Sequence, residues 1–213
     1  MLYDVFINYI FLVVIITFHE FGHAWSAWRL GDDTARLLGR VTLNPVAHME
    51  VIGTVVLPLL AMFLSASGSA LGSFIIGWGK PVPVNIANLR RKPLDDILVS
   101  MAGPAMNVVL ALMAMGVART GIFLHSAMLV EACERLALIS MGLCFFNLIP
   151  IPPLDGSHVL KYLIGMSYET FWRVSQFGIF AVILLLQMPP VREFLALSTV
   201  NSVRLMQRLF FFG

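Results

Sequence analysis

Long apolar stretches alternate with short charged ones along the chain. From Val5 to Trp28 the only acidic, basic or imidazole side chains are His19, Glu20 and His23. Val51 to Gly79, Ile97 to Ala118, Leu136 to Leu154 and Val174 to Val191 contain no Asp, Glu, Lys or Arg. A helix needs roughly 20 apolar residues to cross the hydrocarbon of a bilayer, and four of these five runs suit one crossing each. The run from 51 to 79 is long for one crossing and short for two, and Pro58 and Ser65 to Ser69 interrupt it. It reads as a helical hairpin, re-entrant and packed against protein, because backbone broken at that depth cannot face lipid.

The pattern predicts helices over about 3–30, 94–118, 127–149 and 169–188, and a short helix from Asp155. A loop with strand character covers 31–49, the hairpin 51–77, and a Pro-rich connector runs from Gly77 to Pro93. The stretch 192–211 mixes Leu and Phe with Arg and Gln and reads as an interfacial amphipathic helix. The expected fold is an all-α membrane protein, a polytopic bundle of about 5–6 membrane segments with a re-entrant hairpin and a short strand-bearing loop. Residues 1–190 form its membrane-embedded domain and 191–213 a C-terminal amphipathic interfacial segment.

Composition strengthens this reading. Of 213 residues, 59% are hydrophobic and 12% charged, whereas a soluble domain has about 25% charged. The polar side chains are too few to cover a water-facing surface. The net charge of +2 says little; the placement of the charges says more. Arg29, Arg36 and Arg40 follow the first run, and Arg90, Arg91 and Lys92 precede the third. The positive-inside rule makes both loops cytoplasmic, so the segment between them must enter and return. The C-terminal Arg192, Arg204 and Arg208 then fall outside, against the rule. The start of the chain does not resemble a cleaved signal peptide, lacking a basic start and a small-residue cleavage site. Cys133 and Cys144 sit about three turns apart on one predicted helix, too far for a disulfide.

The candidate chemistry lies in the first run. Residues 19–23 read His-Glu-Phe-Gly-His. On a helix His19 and His23 share one face, and two imidazoles so placed can hold one zinc ion. Glu20 stands beside them and can take a proton from a water activated there. Such groups are costly within an apolar span and point to a functional site. Helical rise puts His19 about 15 Å and His23 about 9 Å from Arg29, so the site is sunk in the bilayer nearer the cytoplasmic end. A catalytic zinc normally takes three protein ligands. Asp155, just beyond Pro150, Pro152 and Pro153, is the best remaining carboxylate; it can equally be the N-cap of the helix that starts at Gly156.

Three motifs carry a resemblance to a known family: His19-Glu20-Phe21-Gly22-His23, Ala102-Gly103-Pro104-Ala105-Met106-Asn107, and Asn147 through Pro150, Pro152 and Pro153 to Asp155-Gly156. The connector from Gly77 to Asn85 matches as well. In this order the motifs resemble the site-2 proteases, intramembrane zinc metalloproteases, in the compact branch without a PDZ domain. The resemblance implies that His19, His23 and Asp155 hold Zn2+, that Glu20 is the general base, and that Asn147 helps hold the substrate carbonyl or its oxyanion. Asn107 is either part of this machinery or an interhelical hydrogen-bonding residue. One departure concerns Asn44-Pro45-Val46-Ala47-His48, which Met49-Glu50 follows where the branch has an Asp-Pro pair. His48 reads as interfacial, His125 as a loop residue, and His158 as a residue that could lie near the metal.

The implied activity is hydrolysis of peptide bonds in membrane-spanning or membrane-proximal protein segments. The expected substrate is a single-pass helix, and the expected setting a prokaryotic cytoplasmic membrane with the active site toward the cytoplasm. Nucleic acid is not an expected partner. Cleaving a helix requires unwinding it, and Leu38 to Asn44, with Val41 and Leu43 alternating against Arg40 and Thr42, could offer a strand edge to the unwound chain. The alternative is a non-proteolytic zinc-binding membrane protein, a sensor or inactive relative; Glu20 speaks against it, because only hydrolysis needs a base. Proteases that process prenylated proteins tend to use a glutamate as third ligand, and Glu131, Glu134 and Glu169 lie in no motif. A transporter would call for polar residues along several helices.

Overall fold

A computed structural model describes residues 2–66 and 79–211. Helix α1 spans Leu2–Leu30, and two single turns follow it, α2 (Thr34–Leu37) and α3 (Pro45–His48). A π turn over Val51–Val56 runs into α4 (Leu57–Ala66), and a 3-10 turn lies at Ile86–Asn88. The long helix α5 covers Lys92–Phe123 and α6 covers Ala127–Asn147. The chain ends in α7 (Gly156–Leu163), α8 (Tyr168–Gln187) and α9 (Pro189–Phe211). The return arm of the expected hairpin, with Gly77 and Trp78 of the connector motif, lies outside the described residues.

Helix α5 is the axis of the molecule and packs chiefly on α6 and α1. Its contact face with α6 is built from small residues: Ala111, Ala114 and Ala118 are buried against Cys133 and Ala137. Small side chains let helix backbones approach where no hydrophobic force separates helix from lipid. Ser140 adds an interhelical hydrogen bond, donating its hydroxyl to the Asn107 carbonyl at 2.8 Å. Both cysteines are free and buried in this core. Gly22 of α1 meets α5 so closely that a Cβ there would stand 2.6 Å from the Ala102 carbonyl oxygen. Helix α9 lays Val203 and Met206 onto the α5–α6 core, while Arg192, Arg204 and Arg208 are exposed.

Three helices among the described residues are long and apolar enough to cross a membrane: α1 from Asp4, α5 and α8. That is fewer than the expected 5–6 segments. Helix α6 carries Glu131, Glu134 and Arg135 in its first half. Two of these are partnered, Glu134 accepting from the Gln207 amide at 2.8 Å and Arg135 pairing with Asp4 at 3.2 Å.

The loop expected to bear a strand holds none among the described residues. Its backbone is spent locally. Leu38 and Gly39 close α2, and the Asn44 N–H donates to the Thr42 hydroxyl at 3.1 Å. The Asn44 side chain caps α3 by accepting from the Val46 N–H at 3.1 Å. Burial along this stretch does not alternate cleanly, since Val41 and Thr42 are both half-buried. Arg40 is buried at 4% exposure and Leu43 is 49% exposed, because the Arg40 guanidinium donates inward to the Lys80 carbonyl. His48, expected at the interface, is 1% exposed, its ring Nε2 lying 2.8 Å from the Thr42 carbonyl. Glu50 needs no proline beside it: its carboxylate accepts from the Gly53 N–H at 2.6 Å and starts the π turn.

Asp32 ties the connector to the end of α1. Fully buried, it accepts from the Thr34 hydroxyl, from the Asn85 N–H at 2.6 Å and from the Asn88 side-chain amide at 2.9 Å. Burial alone would raise its pKa, but these donors outweigh burial and hold the carboxyl below the usual carboxylate range.

Candidate metal centre

His19 and His23 lie one turn apart on α1 and turn their rings toward α5, edge to face with centroids 4.7 Å apart. Gly103 makes the room. A Cβ on it would stand 2.3 Å from His23 Nε2 and 2.7 Å from His19 Cε1. Asp155 reaches the same point from the far end of the sequence. It occupies the N-cap position of α7, yet its side chain makes no capping hydrogen bond. The carboxylate turns to the imidazoles, with Oδ2 at 3.1 Å from His19 Nε2 and Oδ1 at 3.4 Å from His23 Nε2.

The two Nε2 atoms are 3.0 Å apart and each faces its own oxygen of the Asp155 carboxylate, at 3.1 Å for His19 and 3.4 Å for His23, so that the three side chains form a triangle. Zinc bonds of about 2.0–2.1 Å in a tetrahedron set neighbouring ligand atoms roughly 3.3 Å apart. The nitrogen–nitrogen and nitrogen–oxygen spacings suit that ion. These three residues are also the group of potential ligands that the described residues bring together.

The surrounding contacts favour the same occupant. The Val99 carbonyl lies 2.8 Å from His23 Nδ1, which places the proton on Nδ1 and leaves Nε2 with its lone pair toward the centre. The Asn107 amide lies 3.3 Å from His19 Nδ1, and its oxygen is buried without a partner. Exchanging amide oxygen and nitrogen, which share one outline, lets that oxygen accept from the His19 Nδ1–H and frees His19 Nε2 in the same way. Asp155 Oδ2 is buried with no hydrogen bond, a costly state for a carboxylate that a cation relieves.

Glu20 flanks the pair, and its Oε2 accepts from the Val82 N–H at 3.1 Å. The connector is held in place there, since the Lys80 N–H donates to the His48 carbonyl at 2.9 Å. Asn147 stands apart from these contacts, its amide donating to the Leu143 carbonyl of its own helix at 3.0 Å. His158 lies on Asp96, not in the triangle, with Nδ1 at 3.1 Å from the carboxylate. His125 sits in the α5–α6 turn with a positive φ of 53°. Asn107, left open by the sequence between site residue and packing, is fully buried beside His19; its spacing of four from Gly103 was the available signal.

The model of peptidase family M50 matches residues 7–124 and 123–187. YwhC of Bacillus subtilis, which carries a provisional zinc metalloprotease name, is 33% identical over 207 residues, covering 91% of this chain and 85% of its own. Rip2 of Mycolicibacterium smegmatis, similarly named, is 30% identical over 191 residues, covering 86% and 70%. Rip2 of Mycobacterium tuberculosis is 31% identical over 150 residues, covering 70% of this chain and 54% of its own. No solved structure matches. The glycine-floored pair of imidazoles thus sits in a chain that belongs to peptidase family M50, the site-2 protease family.

Proposed function

We propose that the protein hydrolyses peptide bonds of membrane-spanning or membrane-proximal protein segments, with His19, His23 and Asp155 holding Zn2+ and Glu20 as general base. The observation that carries this reading is the meeting of three side chains inside a largely apolar helix pair: the two Nε2 atoms are 3.0 Å apart, and the two Asp155 oxygens lie 3.1 Å from His19 and 3.4 Å from His23. A zinc ion held there supplies Lewis acidity, polarising a carbonyl and lowering the pKa of a water. Glu20 takes the proton of the attacking water and returns it to the leaving nitrogen. The Val82 N–H occupies Oε2, which fixes the carboxylate and leaves Oε1 for that transfer. Asn147 turns from the Leu143 carbonyl to donate to the developing oxyanion. Catalytic hydrogen bonds are often unformed until substrate arrives.

The substrate is a single-pass helix that unwinds to expose its carbonyl. The setting is a prokaryotic cytoplasmic membrane with the active site toward the cytoplasm, supported by Arg29 and by the Arg90 to Lys92 cluster at the same end of the helices as the triangle. Residues 1–190 form the membrane-embedded protease, with segments beyond the three long apolar helices completing 5–6 membrane elements. Residues 191–213 form an interfacial segment, supported by the mixture of exposed Arg204, Leu205, Arg208 and Leu209 on α9. Purified protein and a panel of single-pass substrates test the reading. Glu20→Gln, which keeps an acceptor for Val82, should retain zinc and lose at least about a hundredfold in rate. Cleavage at the wild-type rate by this variant would refute it.

A further inference from the structure

A second buried ionic cluster stands one helical turn beyond the triangle, and the proposed chemistry does not use it. Asp96 of α5 is 2% exposed. Its carboxylate lies 3.1 Å from His158 Nδ1 and accepts from Lys161 Nζ at 2.6 Å and from the Tyr162 hydroxyl at 2.8 Å. Lys161 is 3% exposed, with its ammonium 4.3 Å from the Tyr162 ring centroid and 5.0 Å from that of Phe171. Well-packed apolar residues would serve stability as well as a buried ion pair or better. The pair therefore calls for a role in fixing geometry.

Its placement supplies one. His158, Lys161 and Tyr162 occupy one face of α7, at spacings of three and four. Asp155 is the residue just before α7 begins and follows a Pro-broken stretch, so α7 is the rigid element beside it. On the other side, Asp96 shares a face of α5 with Val99, Gly103 and Asn107, again at spacings of three and four. Those three residues set the His23 ring, the room for both rings and the His19 ring. One face of α5 thus touches all three potential ligands, directly for the histidines and through α7 for Asp155.

We propose that Asp96 is a positioning residue that, through Lys161, Tyr162 and His158, fixes the rotation and height of α7 and so sets the Asp155 carboxylate against the two imidazoles. This rests on the reading of the triangle as a zinc site. Wild type, His19→Ala, Lys161→Met, Lys161→Arg and Tyr162→Phe, as full chains in detergent, are titrated with zinc against a chromophoric chelator. Thermal unfolding and kinetics are recorded on the same samples. Lys161→Met keeps an apolar stem on the rings and removes the charge. It should weaken zinc binding at least about tenfold and lower kcat with KM unchanged. Tyr162→Phe should lose less, and Lys161→Arg should stay near wild type. Wild-type zinc affinity and kcat in both Lys161→Met and Tyr162→Phe, with only a lowered unfolding temperature, would overturn the proposal. If Lys161→Met does not fold, Tyr162→Phe alone decides, since it leaves the ion pair intact. Undiminished zinc binding by His19→Ala would instead sink the metal site itself.

Discussion

Gly103 lies directly beneath His23: a methyl group on its Cα would stand 2.3 Å from Nε2, the atom that faces the Asp155 carboxylate. The neighbours it would strike are imidazole rings pinned by the Val99 carbonyl and the Asn107 amide, not flexible chain ends. Gly103→Ala should therefore act on the metal before it acts on the fold. Overpacking costs about 1–3 kcal/mol, which corresponds to roughly fivefold to 150-fold weaker zinc affinity in chelator competition. Helix content by circular dichroism should be unchanged.

Asn147 donates to its own helix at 3.0 Å, so its removal leaves the resting structure nearly intact. If the amide serves the oxyanion, Asn147→Ala should lower kcat by about 10²–10³. Zinc stoichiometry and thermal unfolding should match wild type. Steady-state kinetics on a single-pass substrate checks this, and an unchanged kcat would restrict Asn147 to packing.

Asp32 gives a pH signature independent of the metal. Its folded-state pKa is depressed, so its contribution to stability is complete above the ordinary carboxylate pKa and is lost as pH falls through the folded value. Asp32→Asn turns one of two acceptor oxygens into a donor among four donor groups and should cost about 1–3 kcal/mol at neutral pH. The gap in unfolding temperature between wild type and variant should stay constant at neutral pH. It should narrow below about pH 4.

Metal removal should be reversible. Dialysis against a chelator should abolish cleavage and lower the unfolding temperature, because an ion bound only by the folded state stabilises it by mass action. Added zinc should restore both. A chelated protein that unfolds at the wild-type temperature would show that the triangle holds no ion in the folded chain.

What was legible in the sequence was local chemistry. His19 and His23 are one turn apart in an apolar run, a spacing that needs no tertiary information. Asp155 could be singled out because prolines end the preceding helix and carboxylates are scarce. The long helices followed from run length, and their boundaries fell within a few residues of α1, α6 and α8. What stayed hidden was burial decided by distant partners. Arg40 reads as a surface charge until the Lys80 carbonyl, 40 residues away, is brought to it. Asp96 and Lys161 carry no signal in the sequence, because they meet only when α7 folds onto α5, pairing residues 65 apart. The strand expected near Val41 failed because alternation does not report where backbone groups find partners, and here they are satisfied locally, by the α2 turn, the Thr42 hydroxyl and the His48 ring.

The two imidazoles belong to α1, and the carboxylate that faces them arrives only after α5 and α6 have been made. A partly synthesised chain therefore carries two of the three potential ligands, and on the proposed function hydrolysis waits until the topology is complete. On that reading, inactivity during insertion follows from the order of elements along the chain. A fragment ending before Asp155 should bind zinc weakly and cleave nothing, and adding the missing C-terminal part in trans should switch it on.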